Sequence, residues 1–317
     1  MPEKKRSERN RTITLDVEEK EKFLNKVIKP VSKLSVEQIL NKTLLGNIIE
    51  IAGYLPENSV DLLIIDPPYN LDRKFNEVKF KKRSIDDYTI WLENIIKLTK
   101  PMLKKNASVY VCGEWKSSTS IHIILEKYFY VKNRITWERE KGRGSLRNWK
   151  NNSEDIWFAV NSKDDFVFNV DSVKMKRTVI APYRNSDGTP KDWEESEGGN
   201  FRATFPSNLW NDLTVPFWSM PENTDHPTQK PEKLIAKLIL ASSNEGDLVF
   251  DPFLGSGTTS VTAKKLGRYY CGVEIDPEYC AITEKRLEIA DRVPEIQGFD
   301  GHYFWERNSW PKNKNNK

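Results

Sequence analysis

The chain has 317 residues, of which 30% are charged and 38% hydrophobic, and its 50 Lys and Arg outnumber 46 Asp and Glu to leave a net charge of +4. That length allows about two domains. No apolar stretch approaches the ~20 residues of a membrane span and the N-terminus has no signal-peptide core, so a membrane role is excluded and the cytoplasm is the expected location.

Residues 1–14 are polar and basic (Lys4, Lys5, Arg6, Arg9, Arg11) and read as a flexible arm, solvated or touching phosphates. From Asp16 to Ile28 the spacing predicts a helix, with Leu15, Phe23, Leu24, Val27 and Ile28 apolar and Pro30 as its stop. This is an accessory helix, packed on the core or on another subunit. Gly46 to Ile65 then enters a sheet, since Val60-Asp61-Leu62-Leu63-Ile64-Ile65 has the length and composition of a buried strand. It opens into Asp66-Pro67-Pro68-Tyr69-Asn70, at the carboxyl end of a strand, where open parallel sheets bind ligands.

Two successive prolines fix two φ angles and remove two backbone donors. The Pro67 carbonyl and the Asp66 carboxylate are then neighbouring acceptors on a stiff chain, suited to a group with two N–H bonds. Tyr69 offers a flat face for a planar ring, and Asn70 an amide that donates or accepts. Together they describe a clamp for the exocyclic amine of a nucleobase. Taken alone, the same residues are equally a rigid turn after a strand.

The stretch from Leu71 to Ser84 is basic (Arg73, Lys74, Lys79, Lys81, Lys82, Arg83), a loop for phosphate contacts or a solvated one in equal measure. A helix is expected from Asp86 to Lys100, a strand over Ser108–Val111, a helix from Ser117 to Phe129 and a strand from Val131 to Trp137. This alternation predicts an α/β, doubly wound, mostly parallel sheet. Glu138 to Lys150 breaks it with Arg139, Lys141, Arg143, Arg147 and Lys150 around Trp149, a mixture suited to a nucleic-acid backbone and exposed bases. With Asp155 to Val160 as the next strand, that segment becomes a hairpin-like connection at the sheet edge. Residues 161–225 show no sustained period and are read as an irregular insert able to follow a groove, with Arg177, Arg184, Lys191 and Arg202 as candidate base or phosphate contacts. Pro231 to Ser243 is a helix with Pro at its start. Thr228 and Lys230, just before it, suit a carboxylate at a helix N-terminus, or simply its capping.

Leu248-Val249-Phe250 is another short apolar run, followed by Asp251-Pro252-Phe253-Leu254-Gly255-Ser256-Gly257-Thr258-Thr259 and a helix to Leu266. Strand, glycine-rich turn and helix form the nucleotide-binding arrangement, in which glycines allow close approach to the backbone. No Gly-Lys-Ser/Thr follows, so this is not a phosphate loop. The next strand, Arg268 to Val273, ends at Glu274, placed to accept from ribose hydroxyls. Pro277 to Ala290 closes the fold as a helix. The aromatic tail from Gln297 (Phe299, Tyr303, Phe304, Trp305, Trp310) reads as an arm on the body. Three cysteines (Cys112, Cys271, Cys280) and three scattered histidines lack metal-ligand spacing, so the thiols are read as structural and no metal is expected.

Asp-Pro-Pro-Tyr early and Asp-x-Phe-x-Gly-Ser-Gly-Thr-Thr late resemble the S-adenosylmethionine-dependent DNA amino-methyltransferases, in the permuted (beta) subgroup whose catalytic motif comes first. His226-Pro227-Thr228-Gln229-Lys230-Pro231 and the run Leu55 to Asp61 are similar to further motifs of that family, as is Glu154 after a basic, glycine-containing loop. Gly46-Asn47 stands where the family has Gly-Asp. The resemblance covers roughly residues 43–290 and implies a Rossmann-like methyltransferase fold with an irregular inserted recognition region. The implied segments are an arm and accessory helix (1–42), a catalytic half (43–160), a target-recognition region (161–225), a cofactor half (226–292) and a tail (293–317).

By resemblance the catalytic residues are Asp66, Pro67, Pro68 and Tyr69. The cofactor would be S-adenosylmethionine, held by Asn47, Asp66, Thr228, Lys230, Asp251, Phe253, Gly255, Ser256, Gly257, Thr258 and Glu274. The substrate would be a flipped base in double-stranded DNA, contacted by Asn70, Arg73, Lys74, Arg139, Lys141, Arg143, Arg147, Arg177 and Arg184. Asp at the head of the motif implies adenine N6 over cytosine N4, although the clamp suits either amine. A silent DNA-binding protein is the alternative from another class. The resemblance allows a homodimer and a cognate restriction endonuclease as partners.

Overall fold

The computed structural model describes residues 7–70, 72–75, 78–139, 146–179, 183–196 and 199–307, without the side chains of 73–75 and 78–80. Its central element is an eight-stranded sheet whose strands, in chain order, are β1 Lys42–Leu45, β2 Val60–Ile65, β3 Leu103–Gly113, β4 Tyr130–Glu138, β5 Ser153–Val160, β6 Leu209–Trp210, β7 Leu248–Asp251 and β8 Tyr269–Glu274. Across the sheet they run β1-β8-β7-β2-β3-β5-β4-β6. Only β5 is antiparallel to its neighbours, as the expected hairpin with β4 requires. The sheet is thus mostly parallel.

The apolar run of β2 explains its central place. Leu62 and Ile64 point to one face, Leu63 and Ile65 to the other, and all four are fully buried. On the Leu63/Ile65 face lie helices α2 Ile85–Thr99 and α3 Ser118–Tyr128, through Leu92, Ile95, Ile96, Ile121 and Ile124. On the Leu62/Ile64 face lie α4 Glu232–Ser242, α5 Thr258–Lys265 and α6 Pro277–Ala290, through Leu234, Ile235, Leu238, Val261 and Leu287. Helices on both faces make this the doubly wound architecture. From β2 the chain turns toward β3, whereas from β7 it turns toward β8, so the strand order reverses between β2 and β7. That reversal opens a crevice at their carboxyl ends.

Three expectations are corrected. The helix α1, Val17–Leu24, is shorter than Asp16 to Ile28, because Ile28 leaves it to bridge Leu44; it packs on α6 with Lys20 paired to Glu278 and Lys285 to Glu19. The N-terminal arm is not free over its described part: Arg11 and Ile13 donate backbone hydrogen bonds to Trp218 and Asn223, and Ile13 bridges Thr224. Residues 161–225 are not wholly irregular. Strands Met175–Thr178, Gly199–Thr204 and Glu194–Ser196 form a small sheet, completed by the tail strand Phe304–Trp305 lying parallel to Met175 and Lys176. Strands this short carry no readable alternation, and their fourth partner lies more than a hundred residues downstream. Among the described residues no helix is long and apolar enough to cross a membrane.

Candidate active site

Strands β7 and β2 are adjacent, parallel and in register, with Val249 opposite Leu62 and Phe250 opposite Leu63. The loops that leave them therefore emerge side by side. Asp66, Pro67, Pro68 and Tyr69 from the first, and Asp251, Phe253, Gly255, Ser256 and Thr258 from the second, line one cavity of about 330 Å³, which Asn47, Thr228, Lys230 and Glu274 also line. A pocket of this size, with apolar walls and few convergent polar groups, suits a small organic ligand. Trp91 and Phe253 supply an aromatic wall, their rings 5.8 Å apart.

Of the residues expected around a cofactor, Gly257 is not in the lining. It caps α5 at φ +85°, and a Cβ there would meet Thr283 at 2.5 Å. Glycine is needed for helix packing at this position. Asn47 is in the wall, yet its side chain accepts from the Ile49 N–H at 3.1 Å and caps the one-turn helix Ile48–Ile51.

Lys230 is not aimed at a helix N-terminus. Its Nζ donates to both oxygens of Asp66, at 2.8 and 2.7 Å, and to the Tyr69 hydroxyl at 3.2 Å. The Tyr69 hydroxyl donates in turn to Glu154 Oε2 at 2.8 Å, and Arg139 closes the series by pairing with Glu154 Oε1 at 2.6 Å. Four charges of alternating sign thus run Asp66, Lys230, Glu154, Arg139. Burial pushes the Asp66 carboxyl above its ordinary range, against the pull of Lys230. Burial also acts to raise Glu154, but Lys230 and Arg139 outweigh it and hold that carboxylate low. For Lys230, burial is outweighed by Asp66 and Glu154, which keep the ammonium charged.

The glycine turn is braced from within by two carboxyls. Asp251 accepts from the Phe253 N–H at 2.9 Å and the Thr259 hydroxyl at 2.6 Å. Glu274 accepts from the Gly255 N–H at 2.7 Å and the Asp276 N–H at 2.8 Å, so half of its acceptor capacity already holds the turn. The turn is also tight: a Cβ on Gly255 would come within 3.1 Å of His226 Nε2, whose ring stands edge-on to Tyr279.

Burial pushes Asp251 and Glu274 up to about 7, and Glu222, buried beside Glu232, up to about 8. Unfolded carboxyls titrate near their ordinary ~4, so between pH 5 and 8 the folded chain binds more protons than the unfolded one. The stabilisation is complete below the unfolded value near ~4, declines across this window and is lost as pH rises through 7 to 8. We expect the ligand-free protein to unfold at a higher urea concentration at pH 6 than at pH 8; an unchanged or lower midpoint at pH 6 would contradict these shifts.

The residues expected on nucleic acid fare differently. Asn70 exchanges two hydrogen bonds with the Arg83 backbone, at 3.0 and 2.7 Å, and closes the base of its own loop. Arg139 neutralises the buried Glu154. Arg177 and Arg184 pair with Glu306 and Glu195. Arg147 is exposed. Arg73 and Lys74 lie in the strand Arg73–Phe75 of a hairpin with Val78–Phe80, and their side chains, like Lys141 and Arg143 as a whole, lie outside the described residues.

Sequence reasoning did not find Trp91, Asp276 or Tyr279, all of which line the cavity. Trp91 sits within an amphipathic helical repeat and Tyr279 in the first turn of α6, where nothing local separates a cavity wall from ordinary core. Asp276 had a signal, an acid immediately before a helix-starting Pro two residues past Glu274.

A family model described as DNA methylase matches residues 60–285. The chain is 34% identical over 261 residues to the type II methyltransferase M.HpaI of Haemophilus parainfluenzae, covering 80% of this chain and 75% of that protein. It is 32% identical over 242 residues to the DNA adenine methyltransferase YhdJ of Escherichia coli, covering 74% and 79%. Among solved structures, the complex of M1.HpyAVI with SAM superposes with a TM-score of 0.53 at 26% identity, over 77% of this chain and 98% of that one.

Proposed function

The chain belongs to the DNA methylase family, and from that premise we propose that it transfers a methyl group from S-adenosylmethionine to the exocyclic N6 amine of adenine in duplex DNA. The observation that carries this reading is the shared cavity: the acid loop after β2 and the glycine turn after β7 face the same 330 Å³ space. Adenine follows from the relatives, since YhdJ is named a DNA adenine methyltransferase.

The residues present fit the cofactor. The apolar walls of Phe253 and Ile275 suit a flat ring, the carboxyl of Glu274 keeps acceptor capacity for hydroxyls, and Gly255, Ser256 and Thr258 of the glycine turn line the same cavity. On this reading Asn47, Thr228, Asp251, Phe253, Gly255, Ser256, Thr258 and Glu274 hold it. When bound, it supplies an electrophilic methyl on a sulfonium, whose departure leaves a neutral thioether.

The chain's own task is to make a poor nucleophile attack. The amine of adenine shares its lone pair with the ring and is unreactive while flat. Asp66 and the Pro67 carbonyl accept its two hydrogens out of the ring plane, which pyramidalises the nitrogen and frees the lone pair. The same acceptors stabilise the positive charge that then develops on the amine, and Pro68 keeps them from moving, so the stabilisation is larger in the transition state than before it. The surplus proton of the methylated amine then leaves through the Asp66 carboxylate to solvent. Tyr69, fixed by its hydroxyl on Glu154, stacks on the base, which must first leave the duplex. Membership of a restriction-modification system, with a cognate endonuclease and assembly as a homodimer, belongs to the same proposal.

Sequencing the genome of a host that expresses the protein, with detection of modified bases, tests the reading. We expect N6-methyladenine at one short motif, and a much smaller fraction of that motif modified in a host carrying the Asp66→Ala gene. Methylation at the wild-type level with Asp66→Ala, or modification of cytosine, would overturn it.

A further inference from the structure

Resting on the proposed methyl transfer, we infer that Lys230 is a positioning residue that occupies the Asp66 carboxylate in the substrate-free enzyme and passes to Glu154 when the target amine docks. In the structure the Lys230 ammonium sits on both Asp66 oxygens at 2.7–2.8 Å. A carboxylate held on both oxygens by an ammonium keeps only half of its acceptor sites for an incoming amine, and a fixed cation there opposes the cation that develops on the amine. The acceptor that takes Lys230 must lie close, be charged, and be equally dry. Glu154 meets all three conditions: its Oε2 is 3.4 Å from Nζ, and the Lys230 and Glu154 side chains are 7% and 6% exposed.

The surroundings fit an exchange. Lys230 forms part of the wall between the large cavity and a second chamber of about 60 Å³, which Glu154 lines and the large one does not share. The ammonium therefore has space on the Glu154 side, enough for a displacement of under an ångström to bring it to contact distance. Arg139 engages Glu154 through Oε1, leaving Oε2 for Lys230, and the Tyr69 hydroxyl, touching Lys230 and Glu154 alike, spans the path. Passing from Asp66, whose side chain is 22% exposed, to the buried Glu154 avoids the exposure and re-burial of a charge that a swing to solvent would entail.

The groups that face Asp66 are Tyr69 from its own loop, Lys230, Glu154 from β5, and, by charge alone, Asp251 from β7, Cys112 from β3 and Tyr88 from α2. Lys230 is the one cation among them, and it lowers the carboxyl. Its loss in Lys230→Met leaves Asp66 protonated to higher pH, so the acidic limb of the kcat/KM profile moves up.

The test is a double-mutant cycle with Lys230→Met and Glu154→Gln, reading kcat, KM for both substrates, and the pH profile. Glu154→Gln alone strands Lys230 on Asp66 and lowers kcat about tenfold with little change in KM. In the Lys230→Met background it costs nothing further, because the cation it had to receive is gone. Losses that multiply, or an acidic limb that stays in place in Lys230→Met, overturn the exchange. A crystal structure of the wild-type enzyme with S-adenosylhomocysteine and a duplex carrying its motif keeps the question open to decision should either variant fold poorly. Lys230 in contact with Glu154 and off at least one Asp66 oxygen supports the exchange, and Lys230 still on both oxygens beside a docked amine refutes it. A wild-type enzyme that methylates no DNA would instead remove the reading on which the exchange rests.

Discussion

Asp66→Ala is expected to lower the rate of methyl transfer by about 10²–10³-fold, the range seen when one preorganised partner of a developing charge is deleted, while cofactor affinity changes only a few-fold. The asymmetry follows from the geometry. On the proposed mechanism Asp66 acts on the substrate amine, whereas the glycine turn is braced by Asp251 and Glu274, which do not touch Asp66. The fold should survive the change, because Lys230 keeps Glu154 and Tyr69 within reach and is not stranded as an unpaired buried charge. Asp66→Asn is the informative companion: it keeps the shape and one acceptor oxygen but loses the charge, and should fall between alanine and wild type. Single-turnover rates together with calorimetric titration of the cofactor separate the two effects. A loss confined to cofactor binding would move Asp66 out of the catalytic clamp.

Asp212→Ala is expected to have the largest effect on stability, at about 3–5 kcal/mol, the penalty for breaking a buried ion pair by deleting one partner. The Asp212 side chain is 2% exposed and receives Lys233 and Lys237 together, at 2.8 and 2.7 Å. Lys233 also donates to the Asp212 and Trp305 carbonyls, and Lys237 lies over the rings of Trp210 and Phe304. One carboxylate thereby ties the insert, α4 and the tail strand together. Its removal leaves two buried ammonium groups, one of which burial already pushes down to about 8. The drop should appear in the urea midpoint at pH 7 and shrink at pH 9, where Lys237 is neutral in the folded chain. A midpoint within experimental error of wild type would show that the cluster contributes nothing.

The parts of the molecule legible in the sequence are those governed by local pattern. The apolar run of β2, Pro277 at the start of α6 and the glycine turn each determine their own structure within a few residues. The meeting of Asp66 with the glycine turn was legible too, since both follow parallel strands, whose carboxyl ends lie on the same side of the sheet. What local pattern does not carry is pairing across long separations. Lys230 and Asp66 are 164 residues apart, and Tyr69 and Glu154 85. Lys230 before a helix reads as a group for a ligand carboxylate; only the fold brings it to a carboxylate of the chain itself. Arg139 next to a basic loop reads as a phosphate contact for the same reason, and the short strands joined by Phe304–Trp305 were invisible because each is too brief to show a period.

The most direct test of a methyl-transfer cavity shared by the two loops is transfer of labelled methyl from S-adenosylmethionine to duplex DNA, followed by digestion to nucleosides and mass analysis. Label in N6-methyldeoxyadenosine, lost with Asp66→Ala, is the expected result. Label in N4-methyldeoxycytidine, or no labelled nucleoside from a folded protein that binds the cofactor, would contradict it.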